Sequence, residues 1–328
     1  MDVSPEQALI QEVFAPLAAA HEGAASLRDD AAIYRPGAGC DIVITMDSLV
    51  AGVHFLADDR PDLVARKALR VNLSDLAAKG AAPAAYLLSV ALTSGQEITW
   101  LRQFADGLAS DQRDFGCVLI GGDTVSTPGP LTITITAFGE LPCGGILRRG
   151  GARAGDLLYV SGSIGDAALG LRVIIGKAEA ADAADAEFLS NRYWLPQPRV
   201  SLAPVLRRHA TAAMDISDGL FGDLALMCQA SSLTARLDAH RVPLSDAARR
   251  MVDCDPGRLE LCLTGGDDYE ILCAVPPEAA SAFERDCADA GIPVTCIGAS
   301  AAGEAPPLCL DADGRPMTFM RTSYSHIG

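Results

Sequence analysis

The stretch Cys117-Val118-Leu119-Ile120-Gly121-Gly122-Asp123-Thr124 joins a short apolar run to two glycines and a carboxylate. Four apolar residues bounded by turn formers suit a buried strand. Glycines at its end let the backbone approach a phosphate closely, and their amides can form an anion nest with Asp123 beside it. The pattern returns at Gly265-Gly266-Asp267-Asp268. Related aspartate turns stand at Asp29-Asp30, Thr45-Met46-Asp47, Ser74-Asp75 and Asp215-Ile216-Ser217-Asp218-Gly219. Taken singly, each also reads as a solvated or turn-initiating aspartate. Together they point to hard-oxygen ligands of one assembled magnesium site, because Mg²⁺ takes a few carboxylates plus substrate phosphates. The expected chemistry is therefore on phosphates.

Around that stretch, residues 41–46 read as a buried strand delivering Asp47, 61–79 as a helix ending at Gly80, and 85–92 as a strand. Residues 97–115 read as a helix and 131–139 as a β-branched strand. Ser4-Pro5-Glu6-Gln7 has capping-box spacing with proline at the first helical position, which predicts a helix to about Ala20. Pro142-Cys143-Gly144-Gly145 breaks the pattern and divides the chain into 1–143 and 144–328. Beyond it, 156–160, 212–216, 271–275 and 293–298 read as strands, and 165–176, 219–230 and 277–290 as helices. Leu195-Pro196-Gln197-Pro198 reads as an irregular link. The expected fold class is mixed α/β in two halves.

The 328 residues suit two domains of ordinary size. A net charge of −16 argues against non-specific nucleic-acid binding and requires metal or local Lys/Arg wherever phosphates bind. Ten cysteines lack any C-x-x-C spacing, and several lie in apolar runs, so they read as reduced core thiols of a cytoplasmic protein. The acidic start and the lack of an apolar run of about 18 residues predict neither a targeting signal nor a membrane span.

Some side chains add to this reading. His54 lies seven residues past Asp47 beside Phe55, a position that suits either a structural histidine or a ligand contact. Asn72 and Asp75 share one helix face at the edge of an apolar stripe. Lys67 and Lys79 read as solvated. Ser217 reads as the N-cap of the helix that follows, where phosphate oxygens are attracted. Arg148-Arg149 sit where they can neutralise a transferred phosphoryl group or simply face solvent. Gly176-Lys177-Ala178 lacks the glycine spacing and hydroxyl of a Walker A loop, Gly162-Ser163-Ile164-Gly165 is only part of a dinucleotide fingerprint, and no G-x-S-x-G turn or protein-kinase signature occurs.

In this order, the motifs resemble the thiamine-monophosphate kinase family, within the aminoimidazole ribonucleotide synthetase-like superfamily. The resemblance rests on Asp29-Asp30-Ala31-Ala32, Asp47 to Phe55, Val71 to Ala78, Gly121-Gly122-Asp123-Thr124, Asp215 to Leu220 and Gly265 to Glu270. It implies ATP-dependent phosphorylation of thiamine monophosphate with several Mg²⁺ ions. It also implies a two-domain fold: an N-terminal sheet domain that binds ATP and magnesium and forms a homodimer, and a C-terminal α/β domain that completes the active site. Carried over residue by residue, Asp30, Thr45, Met46 (through its carbonyl), Asp47, Asp75, Asp123, Asp215 and Asp218 would be metal ligands. Gly122, Asp123, Arg149 and Ser217 would meet ATP, and His54, Asp267 and Tyr324 the substrate. Asp47, Asp123, Asp218 and Arg149 would carry the transfer itself. The sequence departs from the family at Leu27-Arg28, where glycine is usual, at Met46, where a hydroxyl is frequent, and at Asp267, which is often glutamate. Near the C-terminus Tyr324 stands where a tryptophan is expected. Alternatives are another ATP-using member of the superfamily, of the aminoimidazole ribonucleotide synthetase or selenophosphate synthetase type, or a non-enzymatic divalent-cation binder. Calcium loops concentrate their ligands within about 12 residues, which disfavours the last of these.

Overall fold

The structure, a computed structural model, describes residues 5–324. The chain divides into two compact units. One comprises the chain up to Leu76 together with Ala81–Gly144, the other Ala77–Gly80 together with the chain from Gly145 onward. The predicted capping box cannot be followed, since Ser4 lies outside the described residues, as does the side chain of Glu6. Helix α1 (Pro5–Leu9) changes pitch into a π turn (Ile10–Phe14) and a 3₁₀ turn (Ala15–Ala18) rather than running on as one α-helix. Pro16, which brings no N–H to a ladder bond, sits in the first turn of that 3₁₀ segment.

The first unit is built on strands β1 (Cys40–Val50), β2 (Ala82–Thr93), β3 (Val118–Thr127) and β4 (Thr132–Pro142), with helices α2 (Pro61–Ala78) and α3 (Ile98–Phe115). The sheet order is β1-β4-β2-β3, antiparallel except for the parallel β2–β3 pair. Alternation along β4 buries Ile133, Ile135 and Ala137 on one face and leaves Thr134 and Thr136 on the other. Helix α2 covers the buried face: Leu76 packs at Gly139, while Asn72 and Asp75 reach β1. It is buried on nearly every side, which is why its sequence lacks a clean polar stripe. Lys67, read as solvated, is instead 2% exposed and donates to the His54 carbonyl at 3.0 Å. Asp111 of α3 is fully buried between Arg66 and Arg70 of α2. On the opposite face the N-terminal turns cover part of the sheet, where Ala18, Ala24 and Leu27 pack with Ala85, Ile120 and Phe138, and the β1 side is left open. Along β1 it presents Ile42, Ile44 and Met46, with Ile44 61% and Met46 62% exposed.

The second unit carries β5 (Leu157–Ser161), α4 (Asp166–Ile174), α5 (Ala183–Trp194), α6 (Ala203–His209), β6 (Ala212–Ile216), α7 (Leu220–Ser231) and β7 (Leu233–Asp238). It continues with α8 (Asp246–Cys254), α9 (Arg258–Thr264), β8 (Glu270–Val275), α10 (Ala280–Asp289), β9 (Val294–Ala302) and β10 (Leu308–Leu310). Its sheet order is β10-β7-β9-β5-β8-β6. Here both faces are covered. Leu158, Val160, Met214, Ile216 and Leu272 enter one core with Leu224 and Met227 of α7. The alternate residues Tyr159, Ala213, Ile271 and Cys273 enter a second core with Leu206 of α6 and Phe283 of α10. This two-sided burial explains why β5, β6 and β8 read as continuous apolar runs. All ten cysteines are free. Among the described residues no helix is long and apolar enough to cross a membrane.

Candidate functional site

In the first unit the predicted residues fall into separate groups. Thr45 and Asp47 lie inside β1, an edge strand, and not where a strand meets a turn. The Thr45 hydroxyl donates to Asp75, and the Asp47 amide donates to Asn72 at 3.1 Å. Asn72 is fully buried and is itself tied to the Ala68 carbonyl at 3.0 Å. Helix α2 thus fixes one hydroxyl–carboxylate pair beside Asp47. Met46 points its side chain to the open face. His54 caps the turn after β1: its Nδ1 accepts the Val50 amide at 3.0 Å, which leaves the imidazole proton on Nε2.

Gly121-Gly122-Asp123, expected as a turn at a strand end, lies in the middle of β3. Its residues pair with Leu87, Leu88 and Ser89 of β2, so the glycines belong to an edge strand and not to a turn. A Cβ on Gly122 would stand 1.8 Å from the Leu88 carbonyl oxygen, a close approach that only glycine permits. Following the register across the sheet, Asp47 shares a row with Ile135, Leu88 and Gly122, whereas Asp123 shares the next row with Ser89, Thr134 and Ser48. Adjacent rows face opposite sides, and three strand spacings separate the edges by roughly 14 Å. Asp47 and Asp123 are therefore not brought together within this unit. Asp30 is exposed, with its amide on the Asp29 carboxylate at 2.8 Å. Of the two positions where glycine is usual in the family, Leu27 takes a left-handed φ of 54°, as do Ala25 and Ser26 before it at 49° and 54°, while Arg28 does not, at −111°.

The second unit brings its predicted residues close. Strand β6 ends at Ile216, and the turn Ser217-Asp218-Gly219 leads into α7. The N-cap is Gly219, not Ser217. No side chain caps α7; Asp223 inside the helix instead reaches back to the turn, its carboxylate accepting the Ser217 and Asp218 amides at 3.1 and 3.2 Å. Burial, with the Asp218 charge added, pushes the Asp223 carboxyl up to about 7, against those two amides and Arg149. Arg149 thus lies near this turn, its own carbonyl accepting from Ser231 at 3.4 Å. The second glycine–aspartate turn packs on the first. Asp267 and Tyr269 donate their amides to the Ser217 and Ile216 carbonyls, each at 2.8 Å. A Cβ on Gly266 would sit 2.4 Å from the Ser217 carbonyl oxygen. The C-terminal segment closes over both, with the Tyr324 amide on the Asp218 carbonyl at 2.9 Å. Asp215, Ser217, Asp218, Asp267, Tyr324 and Arg149 are in this way gathered around two turns. Sequence reading missed Asp223, and its only signal was a carboxylate placed in the first turn of an apolar helix.

Among the described residues no three His, Cys, Asp or Glu side chains come together as a metal cage. The single carboxylate cluster expected from the sequence is replaced by smaller oxygen groups: Thr45–Asp75 beside Asp47, and Asp215 near Asp218. Those donors fit magnesium held jointly with nucleotide, because Mg²⁺ keeps several waters and uses one or two carboxylates plus phosphates rather than an all-protein cage. A cleft of about 430 Å³ lined by Asp58, Asp59, Arg60, Gln96 and Trp100 contains none of the predicted residues.

Two domain families match this architecture: "AIR synthase related protein, N-terminal domain" over residues 28–141 and "AIR synthase related protein, C-terminal domain" over 153–306. The fold and its turns thus define an AIR synthase related protein. A thiamine-monophosphate kinase of Caulobacter vibrioides is 45% identical over 321 residues, spanning 97% of this chain and 89% of that protein. The crystal structure of thiamine-monophosphate kinase from Stenotrophomonas maltophilia K279a superposes with a TM-score of 0.80 at 38% identity, covering 89% of this chain and 91% of that one. AaThiL complexed with AMPPCP and TMP superposes at 0.78 with 28% identity, covering 89% of each chain. The chain belongs to the thiamine-monophosphate kinase family.

Proposed function

We propose that this protein transfers the γ-phosphoryl group of ATP to thiamine monophosphate, giving thiamine diphosphate by direct in-line displacement. The observation that carries it is the pair of interlocked turns of the second unit, in a chain 45% identical to a thiamine-monophosphate kinase. The nucleophile is a terminal phosphate oxygen. A phosphate monoester has its second pKa near ~6, so this oxygen is already ionised at neutral pH and no side chain need remove a proton. The obstacle is bringing two polyanions together, and the residues act on charge and position.

In this reading Arg149, Ser217 and the backbone at Gly122 bind the nucleotide, with Arg149 placed to neutralise the transferred group. His54, Asp267 and Tyr324 meet the thiamine monophosphate. Magnesium would be held at separate points of the first unit, by Asp47 and Asp75 with Thr45 and the Met46 carbonyl at the β1 edge, by Asp123 at the β3 edge and by Asp30, and in the second unit by Asp215 and Asp218. When bound, it supplies charge neutralisation on the phosphate oxygens. Asp47, Asp123, Asp218 and Arg149 would contribute most to the transfer. The protein would act in the cytoplasm as a homodimer, paired through the open face of the four-stranded sheet. The exposed Ile42, Ile44 and Met46 support that pairing.

The test measures ADP and thiamine diphosphate formed from ATP with thiamine monophosphate, free thiamine or aminoimidazole precursors as acceptor. The expected result is one ADP per thiamine diphosphate, with magnesium required and the other acceptors idle. ADP release with an aminoimidazole precursor alone would overturn the assignment in favour of a synthetase.

A further inference from the structure

Asp268 and Glu270 are buried, the first 1% exposed and the second fully, and neither is used by the chemistry described above. They alternate with Asp267 and Tyr269, which are partly exposed on the other side of the chain. The two outward residues take left-handed φ values of 73° and 51°, which side-chain-bearing residues rarely adopt without a surrounding structure that imposes them. Both oxygens of Asp268 accept the Gly165 amide, at 3.0 and 2.9 Å. Glu270 is gripped by Arg199, by Arg192 at 2.8 Å and by the Ser161 hydroxyl at 2.6 Å. Ser161 in turn accepts the Ile271 amide at 2.8 Å. Asp166 completes this interior cluster, 3.7 Å from the Arg192 Nε, which has no hydrogen-bond partner. Burying several carboxylates in one place is costly even when they are paired, and such networks are best attested where they fix one backbone arrangement.

We propose that Asp268 and Glu270 are positioning residues, anchored on both sides of Tyr269 so that the backbone holds its left-handed form and presents Asp267 to the substrate beside Ser217. This rests on the assignment of Asp267 to thiamine monophosphate made above. Glu270 fixes the start of β8 against Ile216, and Asp268 ties the preceding residue to the N-terminal end of α4. The turn from Gly265 to Tyr269 is thereby fastened at its inner face and free to present its outer one.

The experiment compares Asp268→Ala and Asp268→Asn with the unaltered protein, reading kcat, both KM values and amide hydrogen exchange. Asparagine keeps an oxygen for the Gly165 amide and alanine does not. Asp268→Ala is expected to raise KM for thiamine monophosphate about tenfold with KM for ATP within about twofold, and Asp268→Asn to restore it. Added to Asp267→Gly, which removes the carboxylate but accepts the left-handed backbone, Asp268→Ala is expected to change that KM by less than about twofold. Exchange of the Asp267 and Tyr269 amides should quicken in Asp268→Ala. If the alanine variant does not accumulate folded, Asp268→Ser, too short to reach Gly165, is read in the same way. Multiplying effects in the double variant, equal changes in both KM values, or unaltered exchange at the two amides would each overturn the proposal. Should the unaltered protein fail to phosphorylate thiamine monophosphate, the functional assignment falls, and the exchange measurement still decides whether Asp268 holds the turn.

Discussion

Gly121-Gly122-Asp123-Thr124 and Gly265-Gly266-Asp267-Asp268 are nearly the same in letters and different in structure. The first is an edge strand whose glycines pair with β2; the second is a coil turn whose aspartate has a left-handed backbone. In each, the central glycine answers a close carbonyl, from Leu88 in one and Ser217 in the other. What differs is the support. Asp123 is exposed on an edge strand, while Asp267 is fastened from beneath by buried carboxylates. A glycine–aspartate pair therefore specifies close backbone approach, and the neighbouring strand or turn decides what the aspartate does.

The largest effect should come from Gly122→Ala. With a Cβ 1.8 Å from the Leu88 oxygen, β3 must separate from β2, and a loss of roughly 4 kcal/mol is expected in urea unfolding. An unchanged midpoint would mean that the close approach is not structural. Next, Asp47→Asn and Asp123→Asn should lower turnover by ~10²–10³, about 3–4 kcal/mol, with melting unaltered. Near-normal turnover of both at saturating magnesium and ATP would remove the first unit's carboxylates from the chemistry.

A smaller effect, about 2 kcal/mol, is expected on association for Ile44→Asp, seen as monomer in sedimentation at low protein concentration. Sedimentation identical to the unaltered protein would count against the open sheet face as the dimer contact. The smallest effect concerns pH. Burial holds the Asp268 carboxyl well above its ordinary 3.8, with Asp166 and Glu270 adding to the rise, against the Gly165 amide and Arg192. Between the two values the folded chain keeps a proton that the unfolded chain has lost, so stability falls as pH rises from about 4, by at most about 1.4 kcal/mol per pH unit. Asp268→Asn should flatten that decline; a slope that survives the substitution would assign it to another group.

Much of the fold was legible. The strand expected over 212–216 is β6, and the helix expected over 61–79 is α2 within a residue, because periodicity and glycine stops are local signals. Others were out of reach. Residues 183–194 form α5, with Asp182 capping it through the Asp185 amide, a helix the sequence pattern does not predict. The apolar pattern ends at Asp47 in one case and at Gly121 in the other, yet β1 and β3 run on through Asp47 and Asp123. Edge strands need not be apolar at their ends, because one side of the ladder lies open.

By itself the sequence determined the continuous apolar runs that become β5, β6 and β8 with both faces covered, the absence of paired cysteine spacing, and the turns that carry family membership. Those depend on residues close in the chain. Only the tertiary structure decided that Asp223 ties down the Ser217 turn, that Lys67 is interior, and that Asp47 and Asp123 lie on opposite sheet edges. Each of these is set by a partner contributed from another part of the fold, and burial or pairing at such distances leaves no local pattern to read.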